Sequence, residues 1–250
     1  MTATILFTQQ SGVGHLRFNR PDRRNALGQE ELGAISAALD AMDKQTRVLM
    51  VSAAEGATFC AGADLQQIRA GELDGDQFQS VTNRLADLPI PTLCVINGNV
   101  YGGGCELALS CDFRMAAEGI HMRVPASAIG LCYPVEGIER FVSRLGVTLA
   151  KRILVGAEEF SAEEMLSHGI VSRLAPATEL LQEAEILASS LAQRAPLAVA
   201  AMLTIIRQAE RGAVDAVAGR ELAAACSESE DLKEGLAAQK ERRAPVFKGI

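Results

Sequence analysis

Apolar positions near the start of the chain fall into two short runs and one helical stripe. The runs at residues 5–8 and 13–18 lie on either side of Ser11-Gly12, which predicts two strands joined in a hairpin. A helix is predicted over residues 28–45, because four apolar side chains recur there at the spacing of one helix face: Leu32, Ile35, Leu39 and Met42.

Further along, predicted strands alternate with predicted helices. Four apolar runs indicate buried strands: Val48–Ser52, Leu93–Ile96, Phe113–Ala116 and Ile170–Leu174. Helices are predicted after Asp64 and from Gly103, with an irregular segment at 70–77. From 178 to 243 the pattern predicts consecutive helices, one of which has Pro196 in its first turn. We therefore expect an α/β core over residues 1–175 and a helical C-terminal region over residues 176–250.

Composition and charge narrow the class of protein. The 250 residues are 48% hydrophobic and only 4% aromatic, which suits a large core packed by Ala, Leu and Val. A net charge of −7 argues against a nucleic-acid-binding or anionic-membrane surface. Neither a signal peptide nor a long apolar run is recognisable. We expect a cytoplasmic protein with neither a nucleic acid nor a membrane as its partner.

The cysteines and histidines do not have the spacing of a metal site. The three histidines, His15, His121 and His168, are scattered along the chain. The six cysteines form no C-x-x-C pair, and most of them fall in apolar segments: Cys60, Cys94, Cys105, Cys111, Cys132 and Cys226. We expect free thiols in a reducing compartment and no bound metal.

Three consecutive glycines and one acid mark the first candidate site. Gly102–Gly104 follow the strand at 93–96 and precede Glu106, which lies on an otherwise apolar helix. Glycines allow an oxygen to approach the unpaired N–H groups of a helix start, where the helix dipole is positive. The alternative is that the glycines only permit close packing and that Glu106 is a solvated helix acid. Its apolar neighbours, residues 107–111, favour a buried acid with a raised pKa.

A second loop of the same kind precedes it. Residues 58–65 follow the strand at 48–51 and carry Ala61, Gly62 and Ala63 before Asp64, at a predicted helix start. Two such loops can direct two backbone N–H groups at a single oxygen atom. Asp64 itself is predicted to cap the helix rather than to catalyse.

These residues resemble the crotonase superfamily, the enoyl-CoA hydratase/isomerase family. The resemblance runs nearly end to end through segments 18–27, 59–65, 96–113, 161–171, 229–235 and 247–249. The glycine-rich segment with Glu106 is specific for the family, whereas the others are individually weak but occur in the family's order and spacing.

The resemblance implies a spiral of repeated ββα units, with C-terminal helices that assemble a homotrimer or a dimer of trimers. It implies an acyl-CoA thioester substrate whose carbonyl oxygen lies between the N–H groups of Ala63 and Gly103, which would stabilise an enolate. Glu106 matches the family's principal proton-transfer acid. No cofactor is implied beyond the coenzyme A of the substrate. Contacts to coenzyme A are implied for the following residues: Arg24, Ala26, Ala61, Ala63, Asp64, Leu65, Gln66, Gly103 and Lys248.

One departure from the family's pattern affects the reaction. Hydratases of the family have a second glutamate after a proline, and here Ala126 follows Pro125. Tyr133 and Glu136, on the loop that lines the acyl pocket in relatives, are the candidates to replace it. The alternatives are that Tyr133 is part of the pocket wall and that Glu136 or Glu139 is a solvated acid at a helix start. We rank hydratase/isomerase chemistry first and a methylmalonyl-CoA type of decarboxylase second. A catalytically weak acyl-CoA-binding homologue is the remaining alternative.

Overall fold

The computed structural model describes residues 3–250. Its strands are β1 (Ile5–Gln10), β2 (Val13–Phe18), β3 (Val48–Ala53), β4 (Thr58–Cys60), β5 (Thr92–Ile96), β6 (Asn99–Tyr101), β7 (Phe113–Ala117), β8 (His121–Arg123), β9 (Glu159–Ser161) and β10 (Arg173–Ala175). Its α-helices are α1 (Gln29–Asp40), α2 (Leu65–Ala70), α3 (Gly75–Ala86), α4 (Gly103–Ser110), α5 (Val135–Leu154), α6 (Ala162–Ser167), α7 (Leu180–Ala192), α8 (Pro196–Glu210), α9 (Ala216–Glu228) and α10 (Glu230–Glu241).

The strands form two sheets linked by a repeated ββα unit. The larger sheet has the order β1-β2-β3-β5-β7-β10, in which β1 and β2 form an antiparallel hairpin and the other neighbours are parallel. The smaller sheet has the order β4-β6-β8-β9. The strands β3, β5 and β7 of the larger sheet are each followed by a short strand of the smaller sheet and then by a helix. The predicted repetition of ββα units is therefore confirmed.

The core lies on the larger sheet, whose central strands are covered on both faces. Every residue of β3 and β5 is buried, as expected for parallel strands with helices on both sides. Helix α7 packs against β3, β5 and β7 through three small or apolar side chains one turn apart, Leu180, Ala184 and Ala188. The first helix of the predicted C-terminal region thus contributes to the core. The division at residue 175 stays a prediction.

Helix α1 is shorter than predicted, because a turn stops it at Asp40. The Asp43 carboxylate accepts a hydrogen bond of 2.8 Å from the N–H of Gln45, and the Asp43 carbonyl accepts one of 2.9 Å from Thr46. Such local bonds compete with the helical ladder. Met42 still packs against the core, so the apolar stripe identified the buried face but not the helix end.

Helix α3 was not predicted, and α5 was expected only as an alternative. The segment at 70–77 is irregular only in part, because α3 begins at Gly75. A capping box starts it, in which Asp74 accepts from the N–H of Gln77 and the Gln77 side chain accepts from the N–H of Asp74. Helix α5, which is interrupted at Gly146, follows Pro134, and its start agrees with the alternative in which Glu136 is a solvated helix acid.

The last strand of the larger sheet begins later than predicted. Ile170 and Val171 both donate backbone hydrogen bonds to the carbonyl of Met165, at 2.8 and 3.2 Å, and so close the end of α6. These residues are buried but not extended into the sheet, and β10 starts only at Arg173.

The C-terminal helices are consecutive, as predicted, with Pro196 at the start of α8. An ion pair links α8 to the core: Arg207 contacts the Asp112 carboxylate at 3.1 Å and donates to the Leu88 carbonyl. Within residues 3–250, no single helix has the length and apolarity needed to span a membrane. The helices α7 and α8 meet that measure only when they are taken together, across a bend of 104°.

Candidate active site

The buried acid predicted at the helix start is present. Gly102 has a φ of +51° and turns the chain from β6 into α4, whose residues 104–110 are all buried. Glu106 is 1% exposed. Gly103 has no room for a side chain, because a Cβ there would lie 2.6 Å from the ring of Phe78 on α3. The packing of α3 on α4 therefore depends on this glycine.

The Glu106 carboxylate receives hydrogen bonds from the neighbouring helix. Its Oε2 accepts from the Gln79 amide at 3.1 Å, and its Oε1 accepts from the Thr82 hydroxyl at 3.1 Å. Arg140 of α5 lies farther away, with its Nε 3.8 Å from Oε1. These groups hold the carboxylate in one orientation.

Burial sets the proton affinity of Glu106. Desolvation raises the pKa of its carboxyl, and the opposing influences of Arg140, Tyr133, Gln79 and Thr82 are smaller. Burial, and then the charge of Glu106, raise the pKa of Tyr133 well above its usual range, so this phenol stays protonated. Gly137 lets the two side chains approach, because a Cβ there would lie 2.5 Å from the Tyr133 ring and 2.9 Å from Glu106 Oε2.

The two predicted loops meet at the start of α4. A Cβ on Gly62 would lie only 2.4 Å from the nitrogen of Gly103. Ala63 forms a parallel bridge with Leu27 in which the N–H of Leu27 donates to Gly62 and the N–H of Asp64 donates to Leu27. This alternation leaves the N–H of Ala63 outside the bridge. Within residues 3–250, neither this group nor the N–H of Gly103 donates a hydrogen bond.

A cavity of about 380 Å³ joins these groups. Ala63 and Gly103 line it together with Glu106 and Tyr133. Most of the remaining wall is apolar: Leu65, Ile68, Leu73, Phe78, Pro125, Ala126, Ile129, Leu131 and Pro134. A ligand in this cavity can therefore reach a buried carboxylate and two unpaired N–H groups at the same time.

Comparison with known proteins shows the family of this chain. A family model described as enoyl-CoA hydratase/isomerase matches residues 8–250. The chain belongs to the enoyl-CoA hydratase/isomerase family. It is 31% identical to the 2,3-dehydroadipyl-CoA hydratase of Escherichia coli over 98% of both proteins. It is also 31% identical to the mitochondrial methylglutaconyl-CoA hydratase of Mus musculus, over 96% of this chain and 81% of that protein.

Solved structures confirm the predicted crotonase fold for this family member. The chain is 29% identical to an enoyl-CoA hydratase from Bacillus anthracis, with a TM-score of 0.89 over 99% of this chain and 100% of that one. A protein of Magnetospirillum magneticum shares the fold at 24% identity, with a TM-score of 0.92. The ββα spiral and its C-terminal helices are those of the enoyl-CoA hydratase/isomerase family.

Most of the residues expected to contact coenzyme A lie in two adjacent segments of the chain. Arg24 is exposed, and its carbonyl accepts a hydrogen bond of 3.0 Å from Ala61, so the segment at 24–27 runs beside the loop at 61–66. Gln66 accepts a bond of 2.6 Å from Arg23. The structure thus brings together Arg24, Ala26, Ala61, Ala63, Asp64, Leu65 and Gln66. Asp64 caps α2 by accepting from the N–H of Gln66, as predicted.

Glu136 and Lys248 lie elsewhere. Glu136 is exposed in the first turn of α5 and lines a separate cavity with Arg211, whereas Tyr133, three residues earlier, lines the cavity of Glu106. The backbone N–H of Lys248 donates to Asp231 at 2.7 Å, and its side chain lines a cavity of about 830 Å³ at the amino ends of β3 and β5. Neither residue meets Glu106 within this chain.

Gln79, Thr82 and Arg140 were not among the predicted site residues. Gln79 and Thr82 are buried polar residues one turn apart on α3, beside the apolar Phe78 and Val81. Two uncharged polar residues on the apolar face of a predicted helix would have been the signal for them, but α3 itself was not predicted. Within residues 3–250, no group of acids, histidines and cysteines is arranged to hold a metal ion.

Proposed function

We propose that this protein is an acyl-CoA enzyme of the enoyl-CoA hydratase/isomerase type that acts through a thioester enolate. In this proposal the N–H groups of Ala63 and Gly103 donate to the thioester oxygen, and Glu106 transfers the proton. The observation that supports it is the junction of the two loops, where two unpaired N–H groups share one cavity with a buried carboxylate.

The chemistry requires such donors. Proton removal or nucleophile addition next to a thioester puts negative charge on the carbonyl oxygen, and a preorganised donor contributes typically about 3–4 kcal/mol to its stabilisation. Gly103 opens α4, so the positive end of the helix dipole acts in the same direction.

Glu106 is the proton-transfer group that the site supports. Its raised pKa brings the carboxylate closer to the proton affinity that a general base needs near neutral pH. Of the described residues that line the cavity, the other acid is Asp74, an exposed N-cap at the mouth. A single carboxylate suffices to move a proton between two carbons of one enolate.

Hydration and isomerisation place different demands on position 126. Ala126 lines the cavity where, by resemblance, hydratases carry their second glutamate. Tyr133 is the polar neighbour of Glu106 that can orient a water there, because it stays protonated and lies beside the carboxylate. Both reactions pass through the same enolate, and the proposal includes both.

The two alternatives have less support. A malonyl-type substrate for decarboxylation would bring its own carboxylate to a cavity whose charged groups are Asp74 and Glu106. A catalytically weak acyl-CoA binder would not need a buried acid, which costs stability when it is ionised.

Coenzyme A and assembly belong to the same proposal. We place the nucleotide and pantetheine along Arg24, Ala26 and residues 61–66. Lys248 reaches phosphates only from another subunit, in a homotrimer or a dimer of trimers. Large apolar side chains exposed on the C-terminal helices support such assembly: Leu197, Met202, Ile206, Val217, Leu232 and Leu236. Light scattering on the purified protein tests it, since a monomer would contradict the assembly.

The test of the reaction uses 2-enoyl-CoA and 3-enoyl-CoA in heavy-oxygen water, followed by mass spectrometry. Label gained by the 2-enoyl ester indicates hydration, and conversion of the 3-enoyl ester without label indicates isomerisation. Either product must be lost in Glu106→Gln. If neither ester reacts, the proposal fails, and a malonyl-type thioester then distinguishes a decarboxylase from a binder.

A further inference from the structure

The charges around the cavity restrict the acyl group that it can accept. Within residues 3–250, no Lys, Arg or His lines the cavity, whereas two acids do. Glu106 lies at its buried end, and Asp74 lies exposed at its mouth. A ligand that enters between them meets negative charge at both ends.

The closest cation to Glu106 already has partners. Arg140 approaches Glu106 with its Nε and donates from Nη2 to the side chain of Asn83. Its side chain is 9% exposed, and it faces a different cavity on the far side of Glu106. Arg140 therefore cannot turn to a ligand without leaving the buried Glu106 carboxylate without a counter-ion.

The rim of the cavity is apolar and exposed. Four large aliphatic side chains surround the opening with 38–58% of their surface accessible: Leu65, Ile68, Ile129 and Leu131. Exposed apolar side chains grouped around a cavity mark a surface that a ligand covers. Binding of a hydrocarbon chain is favourable here because it buries this apolar surface. Binding of a charged group is unfavourable because the group loses its hydration and gains no counter-ion.

We propose that the acyl group of the substrate is an uncharged hydrocarbon chain and that the site rejects acyl groups with a terminal carboxylate. The inference rests on the proposed function for the acyl-CoA ligand, and it adds the substrate class. It separates this chain from two relatives whose names specify acyl groups with a second carboxylate, the 2,3-dehydroadipyl-CoA and methylglutaconyl-CoA hydratases.

Isothermal titration with hexanoyl-CoA and adipoyl-CoA tests the substrate class. The two esters have equal chain length and differ only by a methyl or a carboxylate at the far end. We expect hexanoyl-CoA to bind about 50-fold more tightly, because the carboxylate finds no counter-charge. Equal affinity, or tighter binding of adipoyl-CoA, overturns the inference. Both esters are saturated, so the result does not depend on whether the protein adds water or moves a double bond.

A pair of charge variants at the rim confirms the cause. Leu131 is 45% exposed, and it can carry a longer polar side chain without disturbing the core. Leu131→Arg should lower the ratio of the affinity for hexanoyl-CoA to that for adipoyl-CoA about tenfold, and Leu131→Glu should raise this ratio. If the two variants show the same preference while their circular dichroism matches that of the wild type, charge is not the reason and the inference fails.

Discussion

Gly62 and Gly103 meet so closely that a single methyl group would separate them. A Cβ on Gly62 would lie 2.4 Å from the Gly103 nitrogen, and Gly62 has a φ of +84°. The contact aligns the loop after β4 with the start of α4. Ala63 and Gly103, which are far apart in the sequence, thereby line the same cavity.

Gly62→Ala should reduce kcat about 100-fold, because the added methyl displaces the Gly103 N–H from the thioester oxygen. Gly119→Ala is the matched control: Gly119 has a φ of +74° but nothing within 4 Å of its Cβ position. Both variants carry the same kind of backbone strain, which costs about 1–2 kcal/mol of stability, and only Gly62→Ala adds the clash with Gly103. Steady-state kinetics separate them. Equal kcat losses would contradict the role of the contact.

Glu106→Gln should change how stability depends on pH. The pKa of Glu106 is raised in the folded protein, so the folded state binds its proton more tightly than the unfolded state. The contribution of Glu106 is fully present below the unfolded pKa and is lost as pH rises through the folded pKa. The loss is about 1.4 kcal/mol for each pH unit that separates the folded pKa from the unfolded pKa. Urea unfolding measures the free energy of unfolding of both proteins. The value for the wild type minus the value for the variant should fall as pH rises.

If the free energy of unfolding of the wild type minus that of the variant stays constant or rises with pH, the carboxylate is not destabilised by burial. All other titrating groups are common to both proteins, so the comparison isolates Glu106.

Tyr133→Phe should shift the pH profile of kcat. Tyr133 and Arg140 both lower the pKa of Glu106, and Arg140 has the larger effect. Loss of the Tyr133 hydroxyl should raise the pKa of Glu106 and so move the acidic limb of the kcat profile to higher pH. Arg140→Gln should move this limb farther in the same direction. The readout is the midpoint of the limb, which a packing defect alone would leave in place. A shift to lower pH in either variant would be inconsistent with the assigned contacts.

Ala126→Glu should increase water addition to 2-enoyl-CoA about tenfold or more, because a second carboxylate can then hold and activate the water. Ala126 lines the cavity and is 5% exposed, so a longer side chain at this position is directed at the ligand. Ala126→Gln matches the size but not the basicity, and it should give no gain. A gain with both variants, or with neither, would show that the acid at 126 is not what limits hydration.

The local parts of the site were predictable from the sequence, and its supports were not. Gly103, Glu106 and Ala63 lie on short segments whose glycines and apolar neighbours indicate their roles directly. Gln79 and Thr82 precede Glu106 by 27 and 24 residues, and they meet it only because α3 packs on α4. That packing depends on the whole ββα arrangement, which no local pattern contains.

The loop at 130–140 shows the same limit at short range. Tyr133 and Glu136 are three residues apart, and both were candidates to replace the missing acid. Helix α5 begins at Val135, so the chain changes direction between them, and their side chains line different cavities. The helix start, which the sequence offered only as an alternative, decides which of the two reaches Glu106.

Deuterium incorporation tests the enolate account most directly. A short 2-enoyl-CoA and its 3-enoyl isomer are incubated with the protein in deuterium oxide, and label at C2 and C4 is followed by mass spectrometry. Wild type should introduce deuterium at C2 on hydration of the 2-enoyl ester or at C4 on isomerisation of the 3-enoyl ester, while Glu106→Gln should be slower by about 1000-fold with coenzyme A ester binding changed only a few-fold. Equal incorporation by the two proteins, or none by the wild type, would contradict proton transfer by Glu106.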